Sequence, residues 1–358
     1  MNRVVSDITQ IVYKKILKPT FFLFSADSVH NANVRFGKML GSIPIARKSI
    51  AWMWSYQDQK LAKTLDGIVF PNPVGLSAGF DYDGDLVEIL PALGFGFHTI
   101  GTVTLQSYIG NVKPQLGRLP RSQALLVNKG LKNSGAKTII RKLKKYDFKI
   151  PVGISIASTN TSFSSDKKQI EDIIQCFQLF EKSSLKHAYY ELNISCPNTF
   201  GGEPFTSPER LEMLMKKMDT LHLKRPLYIK MPIDQSGKET LLLLNVLSKH
   251  RVQGVIFGNL TKDKKNPAVD AEDRKIWLGK KGNLSGKPTW ERSNKLIALT
   301  RKKFKKRFTI IGTGGIFSGQ DAAKKVKLGA DLVQLITGMI FEGPQVIGQI
   351  NHFLVKNQ

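Results

Sequence analysis

Apolar positions follow a helical spacing in the first sixty residues and then gather into short continuous runs. Val4, Val5, Ile8, Ile11, Val12 and Leu17 recur on the helical period, with Lys14, Lys15 and Lys18 near the end and Pro19 as the expected stop. After Phe21-Phe22-Leu23-Phe24, either Ser25 or Asp27 is placed to cap a second helix. That helix carries Val29, Ala32, Phe36, Met39 and Leu40 and is expected to close at Gly41. Trp52, Met53, Trp54 and Tyr56 add aromatic surface. The pattern predicts a small, apolar, basic helical module over residues 1–60. Such helices either lie in a bilayer interface or pack as a cap on a neighbouring domain. The cluster of Phe and Leu beside basic helices favours the membrane.

From about Asp66 the texture changes to β-rich runs alternating with polar, helix-prone segments. The runs are Val74–Ala78, Phe97–Gly101, Val152–Ile156, Tyr189–Ile194, Leu227–Met231, Gly254–Gly258, Thr309–Gly312 and Leu332–Ile336. Alternation of strand and helix implies right-handed crossovers and a parallel sheet. Eight such units in one chain fit an α/β fold closed as a (β/α)8 TIM barrel, expected over 61–358. A doubly wound open sheet is the alternative, but no Gly-x-Gly-x-x-Gly opens the first unit. The boundary between module and barrel is expected between Gln59 and Lys63.

Composition narrows this picture. The 358 residues fit one large barrel plus an appendage, and 41% apolar content is enough for a sizeable core. Cys176 and Cys196 are the only cysteines; neither has metal-ligand spacing, so no metal is expected and a reducing, cytosol-facing compartment is. The formal charge of +26 admits a nucleic acid or an anionic membrane as partner. No nucleic-acid-binding motif accompanies it, and runs such as Arg301 to Arg307 read as solvated surface, so no nucleic acid is expected. No apolar stretch reaches transmembrane length and no signal peptide opens the chain. Peripheral attachment to the cytoplasmic face of a membrane is the expectation.

Chemistry in a barrel sits at the carboxyl ends of its strands. Those ends carry Ala78-Gly79, Gly101-Thr102, Ser155, Asn193 with Cys196, Lys230, Asn259, Gly312-Thr313-Gly314-Gly315 and Thr337-Gly338. Gly-rich turns after the last two strands expose backbone N–H groups suited to a phosphate. Lys230 lies on an apolar strand, where it must face a polar site; it suits a Schiff base or the charge of a cofactor ring. Asn193-Ile194-Ser195-Cys196-Pro197-Asn198 is either a chemistry loop, with two amides and a thiol, or a strand end with a buried cysteine. Its place among the other polar ends favours chemistry. His187, in Lys186-His187-Ala188, is expected to be a bystander.

An ordered set of motifs resembles the dihydroorotate dehydrogenase family over nearly the whole chain. It comprises Asn72 to Gly79 (NPVGLSAG), Asn193 to Asn198 (NISCPN), Asn283 to Gly286 (NLSG), Ile310 to Ile316 (IIGTGGI) and Leu332-Val333-Gln334. The entry Ser25-Ala26-Asp27-Ser28-Val29-His30 resembles the membrane-associated, quinone-using class. The resemblance implies a bound FMN and oxidation of dihydroorotate to orotate in pyrimidine biosynthesis, with a membrane quinone as electron acceptor. It implies that Lys230 supports the charge of the flavin ring and that Gly314, Gly315, Thr337 and Gly338 hold its phosphate. Ala78, Gly79, Thr102, Ser155, Asn193, Gly258 and Gly286 would line it, and Asn128, Asn193, Asn198 and Asn259 would bind the pyrimidine. Cys196 would take a ring proton while hydride leaves the adjacent carbon, under a lid at Thr199 to Ser207. The helical module would form a quinone tunnel.

Several positions depart from the family pattern. Cys196 stands where the membrane class carries Ser, and Tyr82 where the family carries a Lys that helps bind substrate. The Asn128 loop is one residue shorter and lacks the family's Phe, Ser155 replaces an Asn, and Gly258 and Leu260 flank Asn259 in place of a Thr pair. These changes fall on the substrate carboxylate site. Lys129 or Lys132 is the expected substitute for the missing charge. Two other functions compete: a same-fold flavoenzyme acting on a different, uncharged dihydropyrimidine, and a non-catalytic basic barrel that binds membrane or nucleic acid.

Overall fold

The computed structural model describes residues 1–357. Helix α1, Arg3–Val12, starts at Asn2, whose side chain accepts from Val5 N–H. A wide π turn, Tyr13–Leu17, carries it directly into α2, Lys18–Leu23. Pro19 therefore does not stop the helix as expected. The π turn, closed by the Lys18 N–H to Tyr13 C=O bond, breaks the α register just before the ring, where an α turn would have set it against the carbonyl four residues back.

Ser25 caps α3, Ala26–Ser42, and leaves Asp27 free for other partners. The helix runs past Gly41, which serves close packing: a Cβ there would lie 3.2 Å from Glu88 Cβ and 3.3 Å from Ile89 N. A helix not expected from the sequence, α4, Pro44–Trp54, takes up Trp52, Met53 and Trp54. It is tied to α1 by Asn2 N–H to Trp52 C=O at 3.0 Å and by Trp54 Nε1–H to Thr9 Oγ1 at 3.2 Å.

The strands follow in chain order. β1 (Lys63–Leu65) and β2 (Ile68–Phe70) form a hairpin. Then come β3 (Val74–Leu76), β4 (Phe97–Val103), β5 (Leu116–Leu119), β6 (Ala124–Val127) and β7 (Val152–Ile156). They are followed by β8 (Tyr189–Asn193), β9 (Leu227–Met231), β10 (Gly254–Phe257), β11 (Asn283–Gly286), β12 (Thr309–Thr313) and β13 (Leu332–Leu335). β3, β4, β7, β8, β9, β10, β12 and β13 pair in parallel and close into a barrel, and each of the eight expected runs is one of its staves. β5, β6 and β11, which the sequence pattern did not reveal, form a separate antiparallel sheet over the barrel mouth, against which α3 packs.

Alternation along the staves sorts the side chains. Tyr190, Leu192, Ile229 and Met231 face outward to the surrounding helices. Phe97, Tyr189 and Tyr228 face inward and, with Phe70 of the hairpin, fill the lower barrel. The hairpin plugs that end: Asp66 Oδ2 accepts from Tyr228 Oη and Thr309 Oγ1, both at 2.8 Å. Two residues further along the same inward faces stand Glu191 and Lys230, and then Asn193. The same period that builds the apolar floor thus lifts polar groups to the mouth.

Candidate active site

One pocket opens at the carboxyl ends of the strands, with about 1110 Å³ of atom-free space, part of it open to solvent. Its wall joins the barrel ends, the β5–β6–β11 sheet and, through His30, the helical module. Of the residues expected to bind cofactor or substrate, all but Asn128 and Ser155 line it, and Cys196 lines it too. Asn128 stands behind the wall with its Oδ1 accepting from Asn111 Nδ2 at 2.9 Å. Ser155 is fully buried below the wall, so neither residue presents its side chain to the pocket in this structure.

The polar ends are wired together in one direction. Asn259 Nδ2 donates to Asn193 Oδ1 at 3.3 Å, and Asn193 Nδ2 donates to Thr102 Oγ1 at 3.0 Å. The Thr102 and Ser155 hydroxyls are 2.9 Å apart, and Ser155 Oγ donates to Glu191 Oε1 at 2.7 Å. Since Ser155 uses its proton on Glu191, Thr102 must donate to Ser155. Asn259 also donates to Ser195 Oγ at 2.8 Å, and Ser195 Oγ donates to Lys230 C=O at 2.8 Å. A chain of satisfied bonds of this kind holds each amide in one orientation.

Lys230 is 5% exposed. Its Nζ lies 3.5 Å from Ser77 Oγ and Ala78 C=O and 3.6 Å from Glu191 Oε1, so the side chain spans the mouth from β9 towards the end of β3. Cys196 is half-buried, its thiol facing the pocket. Burial pushes the thiol up to about 11, while the hydrogen bond from Asn198 N–H and the charge of Lys230 pull the other way. Asn198 is held on both sides: its Nδ2 donates to Val127 C=O at 2.9 Å and its Oδ1 accepts from Asn283 Nδ2 at 2.7 Å. His187, the expected bystander, lies outside the pocket, packed against Tyr190 and Phe180.

Glycines open the far end of the pocket. Gly286, Gly314 and Gly315 have φ of +89°, +93° and +72°, a region that disfavours side chains. A Cβ on Gly338 would lie 1.9 Å from Ile316 C=O, so only glycine permits that approach. Ser285 and Thr337 hydroxyls, 2.9 Å apart, complete this end.

The near end holds what the sequence left unresolved. Tyr82 lies beside His30 and under Lys129, whose Nζ is 5.8 Å from its ring centre; burial raises its phenol and keeps it neutral. His30 is held down to about 4, first by burial and then by the charge of Lys129. Lys129 is 2.6 Å from Asp27 Oδ1 of α3 and 3.2 Å from Gln115 Oε1. Lys132 lines the pocket without a carboxylate at ion-pair distance among the described residues. The Thr199 to Ser207 segment follows Asn198 but does not line the pocket in this structure; Phe200 N–H donates to Asn160 Oδ1 at 2.7 Å and Phe205 is buried.

Sequence reasoning missed Asn111, Asn160, Asn283 and Glu191. Two of them gave a signal: Asn283 opens the NLSG motif without a role assigned to it, and Glu191 is a charge inside the apolar run of β8. The wall itself carries Lys129, Lys132 and Lys230 and no carboxylate; Asp27 and Glu191 behind it face the first and the last, which leaves Lys132 without a carboxylate opposite it among the described residues.

Comparison with known proteins shows the family to which the chain belongs. Residues 60–357 match the model of the family described as Dihydroorotate dehydrogenase. A protein of Christiangramia forsetii named dihydroorotate dehydrogenase (quinone) is 32% identical over 350 residues, covering 96% of this chain and 99% of its own. One of Chloroflexus aurantiacus with the same name is 33% identical over 361 residues, covering 97% of each chain. The crystal structure of DHODH from Eimeria tenella in complex with ferulenol superposes with a TM-score of 0.81, at 22% identity, covering 93% of this chain and 91% of that one.

Proposed function

We propose, for a chain that belongs to the dihydroorotate dehydrogenase family, that it oxidises dihydroorotate to orotate and passes the electrons to a quinone. The observation that carries this reading is a single pocket in which Cys196, Lys230, three site amides and a glycine-lined end converge on a wall with no carboxylate.

The residues present fit FMN. Glycines at positive φ leave backbone N–H groups accessible for a phosphate, the hydroxyls of Ser285 and Thr337 flank them, and the buried ammonium of Lys230 suits an electron-rich ring. Gly314, Gly315, Thr337 and Gly338 would hold the phosphate, and Ala78, Gly79, Thr102, Gly258 and Gly286 would line the ring. When bound, FMN supplies the two-electron acceptor. Asn193, Asn198 and Asn259 orient the pyrimidine through amides already fixed by their neighbours. Cys196, as thiolate, takes the proton from one ring carbon, while the adjacent carbon gives up its hydrogen with the bonding electron pair, leaving a ring double bond. The segment from Thr199 to Ser207, continuous with Cys196 and Asn198, would close over the mouth to keep water from the thiol.

Lys132 is the partner assigned to the substrate carboxylate. Lys129 is already neutralised by Asp27, and Lys230 faces Glu191, so Lys132 is the wall cation with charge to spare. The neutral Tyr82 supports a second reading, a dihydropyrimidine without a carboxylate. The test is anaerobic bleaching of the flavin spectrum. Bleaching by dihydroorotate supports the first reading. A flavin that stays oxidised with dihydroorotate but bleaches with an uncharged dihydropyrimidine moves the assignment to the second.

The helices before residue 61 are the proposed quinone and membrane module, peripheral to an anionic cytoplasmic membrane face. Ile8, Ile11, Phe24, Ile45 and Trp52 are exposed there, beside Lys14 and Lys15. No helix among the described residues is long and apolar enough to cross a membrane. His30 of α3 lines the pocket next to Leu116 of β5, which supports a route for a quinone between the module and the ring.

A further inference from the structure

We propose that Glu191 is a positioning residue: it holds the Lys230 ammonium in the barrel mouth and offsets its charge, and so sets how strongly the site favours the reduced flavin. This rests on the flavin reading given above. Glu191 is fully buried and does not line the pocket, so it does not meet a ligand directly. It sits one step below the reactive layer. On the staves, Ser155 of β7 pairs with Glu191 of β8, and Lys230 of β9 pairs with Asn193, two residues further along β8. Lys230 therefore rises above Glu191, with its Nζ 3.6 Å from Glu191 Oε1.

A buried carboxylate at this position has no structural necessity. Neighbouring inward positions are filled by Tyr189 and Tyr228, and an apolar side chain in a barrel interior avoids the desolvation of a charge. Glu191 is only partly satisfied: Ser155 serves Oε1, while Oε2 has no hydrogen-bond partner among the described residues. What its charge does have is Lys230. The ammonium is further steadied by Ser77 Oγ and Ala78 C=O across the mouth, which leaves its upper side for the ring. An uncompensated lysine would stabilise added negative charge on that ring strongly; the carboxylate below it weakens that pull. Glu191 is also the last acceptor of the chain running from Asn259 through Asn193, Thr102 and Ser155. The amides at the substrate site and the charge of Lys230 thus share one anchor.

The experiment is the midpoint potential of the bound flavin in wild type, Glu191→Gln, Lys230→Met and the double variant. Glu191→Gln is expected to favour the reduced form about tenfold, a shift of about 30 mV in the positive direction for a two-electron couple. In the Lys230→Met background the same substitution is expected to shift nothing, because the ammonium through which Glu191 acts is gone. An unchanged potential in Glu191→Gln overturns the proposal. So does an equal shift with and without Lys230, which would place the effect on the ring directly. If Glu191→Gln does not fold, Glu191→Asp keeps the charge but draws it away from Lys230; a smaller positive shift supports the proposal and none overturns it. A wild-type protein that binds no flavin defeats the functional reading itself, a result distinct from any of these.

Discussion

Asp27 and Lys129 form an ion pair at 2.6 Å across 102 residues of chain. It joins α3 of the amino-terminal module to the loop that follows β6. The other carboxylate oxygen of Asp27 accepts from Gln115 N–H at 2.9 Å and Leu116 N–H at 3.2 Å, so one side chain anchors the module to both parts of the mouth. Both side chains are largely buried, at 13% and 7% exposure. Removing one strands the other, at a cost of about 3 kcal/mol. Asp27→Ala is expected to lose that much in urea unfolding, and Asp27→Ala with Lys129→Ala less than the sum of the two singles. A strictly additive double variant would show that the pair is not coupled.

The same pair gives a pH dependence. Burial raises the Asp27 carboxyl, but the hydrogen bond and charge of Lys129 and the two backbone N–H bonds outweigh it and hold it below its ordinary 3.8. A carboxyl lower in the folded than in the unfolded chain stabilises above its unfolded value. That stability is lost as pH falls through the folded value. Docking of the module is therefore expected to be insensitive to pH near neutrality and to weaken below about pH 4. Limited proteolysis between Ser55 and Lys63 as a function of pH measures it, and Asp27→Asn should lose the acid-dependent step.

Lys132 and Lys129 are separable by binding. Lys132→Ala is expected to weaken orotate about tenfold or more, the worth of one charge-assisted hydrogen bond. Lys129→Ala is expected to lower stability and leave orotate affinity within about threefold, since its charge is already used on Asp27. Isothermal titration of the holoenzyme decides between them. The opposite ranking would assign the carboxylate to Lys129 and Tyr82.

Much of the barrel was legible because a stave buried on both faces is a continuous apolar run, and the polar residues that end it mark the mouth. Lys230 and Cys196 could be assigned to one site on that ground alone. Residues whose role depends on a distant partner were not legible. Asp27 reads as a helix cap until Lys129 is beside it, and Asn128 reads as a ligand until Asn111 takes its amide. β5, with Leu116 and Arg118 half-buried, lacks the apolar run of a stave, and the turn at 120–123 that joins it to β6 carries none of the Gly or Asn signals of a hairpin, so its sheet did not show in the pattern. Pro19 misled for a local reason, because the π turn before it relieves the clash that a proline brings.

Glycine at position 338 is a steric requirement. A methyl group there would sit 1.9 Å from Ile316 C=O, on backbone rather than on a yielding side chain. Gly338→Ala is expected to displace the segment after β13 and to yield protein purified with less than about a tenth of the wild-type flavin, an affinity loss of about 1.4 kcal/mol or more. The flavin-to-protein absorbance ratio reads this directly. Wild-type flavin content in the variant would remove position 338 from the cofactor site.

The exposed apolar side chains of the module give a membrane prediction. Ile8 and Ile11 lie on one face of α1 and are 55% and 56% exposed. Replacing both by Asp is expected to reduce co-sedimentation with vesicles containing anionic lipid, and wild-type binding is expected to fall as salt is raised. Flavin content should not change, because neither residue reaches the pocket. Equal vesicle binding by the double variant would take α1 out of the membrane contact.

Cys196 carries the last prediction. With its thiol pushed up to about 11 by burial, only a small fraction is thiolate near neutrality. Below that value the thiolate fraction rises tenfold per pH unit, so the rate of flavin reduction by substrate is expected to rise with pH across the neutral and mildly alkaline range. The charge of Lys230 and the N–H of Asn198 favour the thiolate, so weakening either is expected to move the profile to higher pH. Cys196→Ala removes the base and is expected to slow reduction by about 10²–10⁴-fold while leaving flavin bound. Cys196→Ser keeps a hydroxyl of higher intrinsic pKa, so its residual rate should keep rising beyond the pH at which the wild type levels off. Stopped-flow reduction across pH separates the cases. A wild-type rate flat with pH, or a Cys196→Ala rate within threefold of wild type, would show that the proton leaves to another group.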